Sequence, residues 1–114
     1  MHDHLTIQPG FYQLLVRTDN KIICLKVSDI IFFEASDKYV KIITAKKTYL
    51  ALTSLSDLEG NLFPEFFRRT HRSYIINMLY LVYIYDGVVN LGDYDIPLSE
   101  GYELEFFMNL QLLN

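Results

Sequence analysis

Along this chain the apolar residues either alternate with polar ones or run together in short blocks, the periods of pleated strands rather than of long helices. Phe11 to Thr18 and Lys21 to Val27 flank Asp19-Asn20, a polar pair suited to a hairpin connection. Ile30 to Ala35 is a continuous apolar strand and Ser36-Asp37-Lys38 a polar turn. Tyr39 to Thr44 alternates, Lys46-Lys47 interrupts, and Thr48 to Leu52 resumes the β pattern. The period then changes. Leu55, Leu58 and Leu62 recur at spacings of three and four behind the hydroxyls of Thr53 and Ser54, which predicts a short amphipathic helix ended by Gly60-Asn61.

Pro64-Glu65-Phe66-Phe67 makes a turn or one helical turn, because proline fixes its own φ and disfavours helix just before itself. Later, Tyr80 to Tyr85, Val88 to Leu91 and Tyr94 to Leu98 read as successive strands with Asp86-Gly87 and Gly92-Asp93 as turns. From Ser99, an N-cap candidate, Tyr102, Leu104, Phe106, Phe107, Leu110 and Leu113 lie near helical spacing. Glu100 and Glu103 sit where a helix N-terminus favours negative charge. Residues 1–10, with Met1-His2-Asp3-His4 and Pro9-Gly10, read as a flexible leader or the remnant of a linker. His2 and His4 without further placed ligands make a weak metal site. Residues 11–114 then form one domain.

Composition strengthens the β reading. A chain of 114 residues, 51% hydrophobic, can build one core without disulfides or structural metal. Nine tyrosines and eight phenylalanines among many isoleucines and valines favour pleated surfaces. No apolar run is long enough to cross a bilayer and no secretory signal pattern opens the chain, so the expected location is the cytoplasm, with no membrane partner. Cys24, the single cysteine, sits in Ile22-Ile23-Cys24-Leu25 and reads as core packing.

The sequence offers no cofactor site: neither a glycine-rich phosphate loop nor multi-ligand metal spacing occurs. Asp93 with Asp95, or Glu100 with Glu103, can be paired as catalytic carboxylates, but turn polarity and helix-start charge explain them more simply. An enzyme is not expected.

The most informative stretch is Phe66-Phe67-Arg68-Arg69-Thr70-His71-Arg72-Ser73-Tyr74-Ile75-Ile76-Asn77, a basic, hydrogen-bonding cluster set against a β-forming run. Arginine presents a planar fork of donors that fits phosphate oxygens or the O6 and N7 acceptors of guanine. The net charge of −4 works against nucleic-acid binding, but it is unevenly spread. Through Arg72 there are ten basic and eight acidic residues; from Ser73 onward there are none and six. The second half repels DNA unless it faces away.

The stretch resembles the signature of the LytTR domain, the DNA-binding module of LytR/AlgR-type bacterial transcription regulators. Upstream, Ile30 to Ile42, with Glu34 and the Ser36-Asp37-Lys38 loop, resembles the family's apolar strand, acidic residue, polar loop and second strand. Downstream, Ile96-Pro97-Leu98-Ser99 resembles its closing motif. The resemblance implies a mainly β fold, elongated and antiparallel with several sheets, one short internal helix and a C-terminal helix. It also implies that loops, not a recognition helix, enter the major groove.

Three segments then become the expected DNA contacts. In the first, Lys38 and Lys41 would meet phosphates, Tyr39 opens the strand, and Val40 would at best touch a thymine methyl. In the second, Arg72 is the strongest base-reading candidate, with Arg69, His71 and Ser73 holding phosphates. His71 and Arg72 point to opposite faces of an extended run, so His71 is the better structural candidate. Asn77 has a plain role in satisfying backbone groups at a strand end. The third segment, Ser99 to Gly101, departs from the family: arginines are common there, and this chain has Glu100 and Gly101. By resemblance the partners are double-stranded DNA, a second copy on repeated half-sites, and a receiver domain or sensor protein of a two-component system. The competing reading is a degenerate LytTR-like module whose acidic half and tyrosines serve a protein partner.

Overall fold

The computed structural model describes residues 12–113. Its ten strands form three antiparallel sheets: a two-stranded hairpin, a five-stranded sheet and a three-stranded sheet. The hairpin pairs β1 (Gln13–Thr18) with β2 (Lys21–Lys26) around Asp19-Asn20. The central sheet contains β3 (Ile30–Ser36), β4 (Tyr39–Thr44), β5 (Thr48–Ala51), β6 (Phe67–His71) and β7 (Tyr74–Asn77), in the order β5-β4-β3-β7-β6. The third sheet joins β8 (Tyr83–Tyr85), β9 (Val88–Asn90) and β10 (Asp95–Pro97), with β9 in the middle. Among the described residues two α-helices join the sheets, α1 (Leu55–Glu59) and α2 (Glu100–Phe107).

β3 is central because Ile30, Ile31, Phe32 and Phe33 are apolar without interruption, so both its faces can be covered. On one face Phe33, Val40, Ile42, Ala51 and Ile75 pack with Val16 and Leu25 of the hairpin and with Leu55 and Leu62 around α1. On the other, Phe32, Ile43 and Ile76 pack with Val89, Leu91, Ile96, Leu98 and Phe106. A register shift between Ile30 and Phe32 breaks the strict alternation and lets the consecutive residues Ile31 and Phe32 feed the same core. Asn77 ties the end of β7 to the start of β3: its side-chain Nδ2 donates to the carbonyls of Val27 (2.9 Å) and Ile30 (2.7 Å).

Several expectations are corrected by packing. Cys24 is exposed, because strand alternation sends its neighbour Leu25 inward and Cys24 outward. The segment from Tyr80 to Tyr85 is not one strand. Asn77 Oδ1 accepts from Leu79 N (2.9 Å) and starts a 3-10 turn over Met78–Tyr80, which delays β8 to Tyr83. The C-terminal helix stops at Phe107, leaving Leu110 and Leu113 beyond it. Arg68 Nη1 donates to the carbonyls of Phe106 and Met108, and Asn109 follows in the left-handed conformation (φ 64°). Only Phe106 of this helix is buried, and Leu104 is 82% exposed. Ser54 caps α1 as expected, its side chain accepting from Asp57 N at 3.1 Å. Ser99 occupies the N-cap position of α2 without a side-chain cap bond. The leader assigned to residues 1–10 lies outside the described residues.

Candidate nucleic-acid interface

Strand pairing gathers the three expected segments at one end of the central sheet. β3 and β7 run antiparallel with Glu34 opposite Tyr74, and Ala35 N donates to Ser73 O at 2.9 Å. The β3–β4 turn at Asp37-Lys38 and the β6–β7 turn at Arg72-Ser73 therefore leave the sheet side by side. The junction of β10 with α2 joins them, because Ser99 N donates to Thr70 O at 2.8 Å. Asp37 takes a left-handed backbone (φ 58°), which lets the chain reverse tightly and lifts Lys38 from the sheet end.

Within this cluster Lys38, Tyr39, Arg72, Glu100 and Gly101 are exposed, while Lys41, His71, Ser73 and Ser99 are half-buried. Val40 is 0% exposed. It lies opposite Ala35 and Ala51 on the core-facing side of the sheet, so its side chain has no route to a thymine methyl. Alternation from Tyr39 dictates this, since consecutive strand residues cannot both face outward.

His71 and Arg72 divide their work. His71 Nδ1 accepts from Ser73 N at 3.0 Å, which closes the turn from inside and, in the neutral ring, leaves the proton on Nε2. The ring lies 5.6 Å from that of Tyr74. Arg72 extends from the tip.

Arg69, expected among the phosphate contacts, is used internally. Its side chain is 11% exposed, with Nε donating to His71 O (2.9 Å), Nη2 to Arg72 O (2.6 Å) and Nη1 to Glu59 Oε1 (2.7 Å). Its guanidinium carbon lies 5.6 Å from the centre of the Tyr102 ring. Sequence reading missed Glu59 and Tyr102, because neither belongs to a motif and both reach the site only through tertiary packing.

Beside the turns, Tyr74 lies opposite Glu34 across the β3–β7 pair, and its hydroxyl feels that carboxylate. Burial first, then the Glu34 charge and its hydrogen bond, hold the hydroxyl above its ordinary value of 10.0. The folded state thus prefers neutral Tyr74. Its contribution to stability is complete below pH about 10 and is lost as pH rises through the higher folded value. Tyr74→Phe is expected to flatten that alkaline loss in denaturation measured from pH 8 to 11.

Gly101 marks where the third segment differs. A Cβ built there meets nothing within 4 Å, so a larger side chain fits without displacing the fold. Gly101→Arg is expected to strengthen DNA binding and to steepen the log–log salt dependence by about 0.9, the contribution of one neutralised phosphate.

A β-built domain with Arg72 and Lys38 exposed on neighbouring turns at one sheet end carries its outward cations there on loops rather than on a helix. The chain is a member of the LytTr DNA-binding domain family, whose model matches residues 20–111. Among solved structures it is similar to the LytTr DNA-binding domain of a putative methyl-accepting/DNA response regulator from Bacillus cereus. That match has a TM-score of 0.73 and 25% identity, covering 86% of this chain and 95% of the other.

Two curated relatives are longer regulators. The heme-containing CO-sensing transcriptional regulator RcoM 1 of Paraburkholderia xenovorans (strain LB400) is 35% identical over 82 residues, 70% of this chain and 31% of that protein. The transcriptional regulatory protein NatR of Bacillus subtilis (strain 168) is 32% identical over 69 residues, 60% of this chain and 30% of that protein. The chain therefore spans about a third of the curated relatives' length. Among the described residues, no helix is long and apolar enough to cross a membrane.

Proposed function

We propose that this domain binds duplex DNA sequence-specifically and controls transcription, as the effector module of a response regulator or as a free-standing LytTR protein in the cytoplasm. The observation that carries the proposal is the convergence of three separate segments at one sheet end, with Arg72 exposed at the tip. In this reading Arg72 contacts a base edge. Lys38, Lys41 and Ser73 meet phosphates, and the exposed ring of Tyr39 packs on the backbone sugars. His71 Nε2 and the Ser99–Gly101 segment complete the backbone contacts, and Arg69 supports the turn from behind. Val40 has no part in it.

Two copies on repeated half-sites suit a domain this small, because the joined sites supply the affinity that a few phosphate contacts lack. Within that arrangement residues 11–114 are the DNA-binding unit and residues 1–10 a leader or linker remnant, with a receiver domain or sensor protein as the signalling partner. Selection of bound duplexes from a random pool tests the proposal. The expected result is an enriched motif bound with a negative salt slope.

A second reading, a degenerate module for a protein partner, is favoured by Glu100 in the third segment and by the exposed Val82, Tyr83 and Tyr85. It predicts no enrichment at low salt.

A further inference from the structure

We infer that Glu59, Arg69 and Tyr102 form a brace that sets the shape of the Arg72 turn, making Glu59 a positioning residue for DNA recognition. The inference rests on the DNA-binding reading above. It concerns residues that do not themselves meet DNA.

The β6–β7 connection needs such a device. Its register shifts between Arg69 and His71, so the ladder of backbone hydrogen bonds is broken where the turn begins. The carbonyls of His71 and Arg72 look for donors at that place, and Arg69 supplies both from one planar group. The remaining Nη1 is aimed by Glu59, the last residue of α1. Tyr102, in the first turn of α2, lies against the same guanidinium.

One side chain thus joins three elements. Among them are the Arg72 turn and the helix start that follows Ser99 and contains Gly101, so two of the three DNA-facing segments share a support. A lysine cannot replace it, because a single ammonium does not present donors in a fixed plane toward separated acceptors.

The brace and a plain electrostatic account make opposite predictions for Glu59. Removing a carboxylate from a protein of net charge −4 should help it approach DNA. If Glu59 aims Arg69, removing it should hurt. With the duplex selected above, Glu59→Gln is expected to lower affinity about threefold to fivefold. Arg69→Lys is expected to lower it at least about tenfold.

Neither Glu59→Gln nor the charge-removing Arg69→Gln should alter the salt slope, whereas an arginine that touches a phosphate contributes about 0.9 to it. In the free protein, amide exchange at Arg72 and Ser73 should quicken in both variants while the central strands keep their protection. Tyr102→Phe, which keeps the ring, should match the parent.

Unchanged or tighter binding by Glu59→Gln overturns the brace, as does a slope that falls by about one in Arg69→Gln, which removes the charge that Arg69→Lys keeps. Unchanged exchange at the turn does the same. If the parent protein enriches no duplex, the DNA-binding reading itself fails, and the positioning role falls with it. The exchange measurement separates the two failures. Glu59→Gln leaves the core untouched, so the test stands even if Arg69→Lys unfolds.

Discussion

Arg72→Ala is expected to cut discrimination between the selected duplex and a scrambled one sharply while leaving the domain folded. Arg72 is exposed at the tip of a hairpin, and its side chain is not part of either hydrophobic core, so truncation removes the proposed reader without opening a cavity. Its backbone is already held, because its carbonyl accepts from Arg69 and the next amide donates to His71. The guanidinium therefore starts from a fixed base and loses less freedom on binding than a side chain on a loose loop.

A bidentate pair of this kind distinguishes bases by about 1–3 kcal/mol, or roughly fivefold to 160-fold in relative affinity. The measurement is a competition between selected and scrambled duplexes at fixed salt. Arg72→Lys should recover the phosphate attraction but little of the selectivity, because an ammonium lacks the fork. A variant that weakens both duplexes equally, with a shallower salt slope, would place Arg72 on a phosphate instead.

The largest loss of stability is expected at Asn77, at the other end of β7 from the Arg72-Ser73 turn. Asn77 is 0% exposed and makes three hydrogen bonds: two donated to Val27 O and Ile30 O, one accepted from Leu79 N. Alanine would leave those backbone groups without their partner in a dry environment. Each unsatisfied buried group costs about 1–3 kcal/mol, so Asn77→Ala should lose about 3 kcal/mol or more. For a domain of this size that lowers the melting temperature by on the order of 15 °C.

Aspartate should be worse than alanine, because its carboxylate cannot donate to two carbonyls and would be buried with charge. Urea denaturation checks both variants. A loss under about 1 kcal/mol would mean that water replaces the side chain at the junction of β3 and β7.

These two residues show how differently structure and recognition were written into the chain. Asn77 could be assigned its duty from its place at the end of an apolar strand, since a buried amide there has backbone groups to satisfy. The inward hydrogen bond of His71 was likewise legible, since its place beside Arg72 in the run made it the better structural candidate, and its Nδ1 accepts from Ser73 N. Arg69 was not. In sequence it is one member of a basic pair beside the turn, and only its partners reveal that it faces inward. Val40 failed for a related reason: resemblance placed it in a DNA-facing segment, but alternation from Tyr39 placed it in the core.

By itself the sequence determined the mainly β character, the places of most strands and turns, the N-cap of α1 and the family motifs, because these depend on periods of two and on residues adjacent in the chain. The tertiary structure alone decided which segments meet, where α2 stops and which cations face outward. Those outcomes depend on pairing across long separations, such as Glu34 with Tyr74, Ser99 with Thr70 and Glu59 with Arg69. Local periodicity carries no record of a contact between residues that only folding brings together.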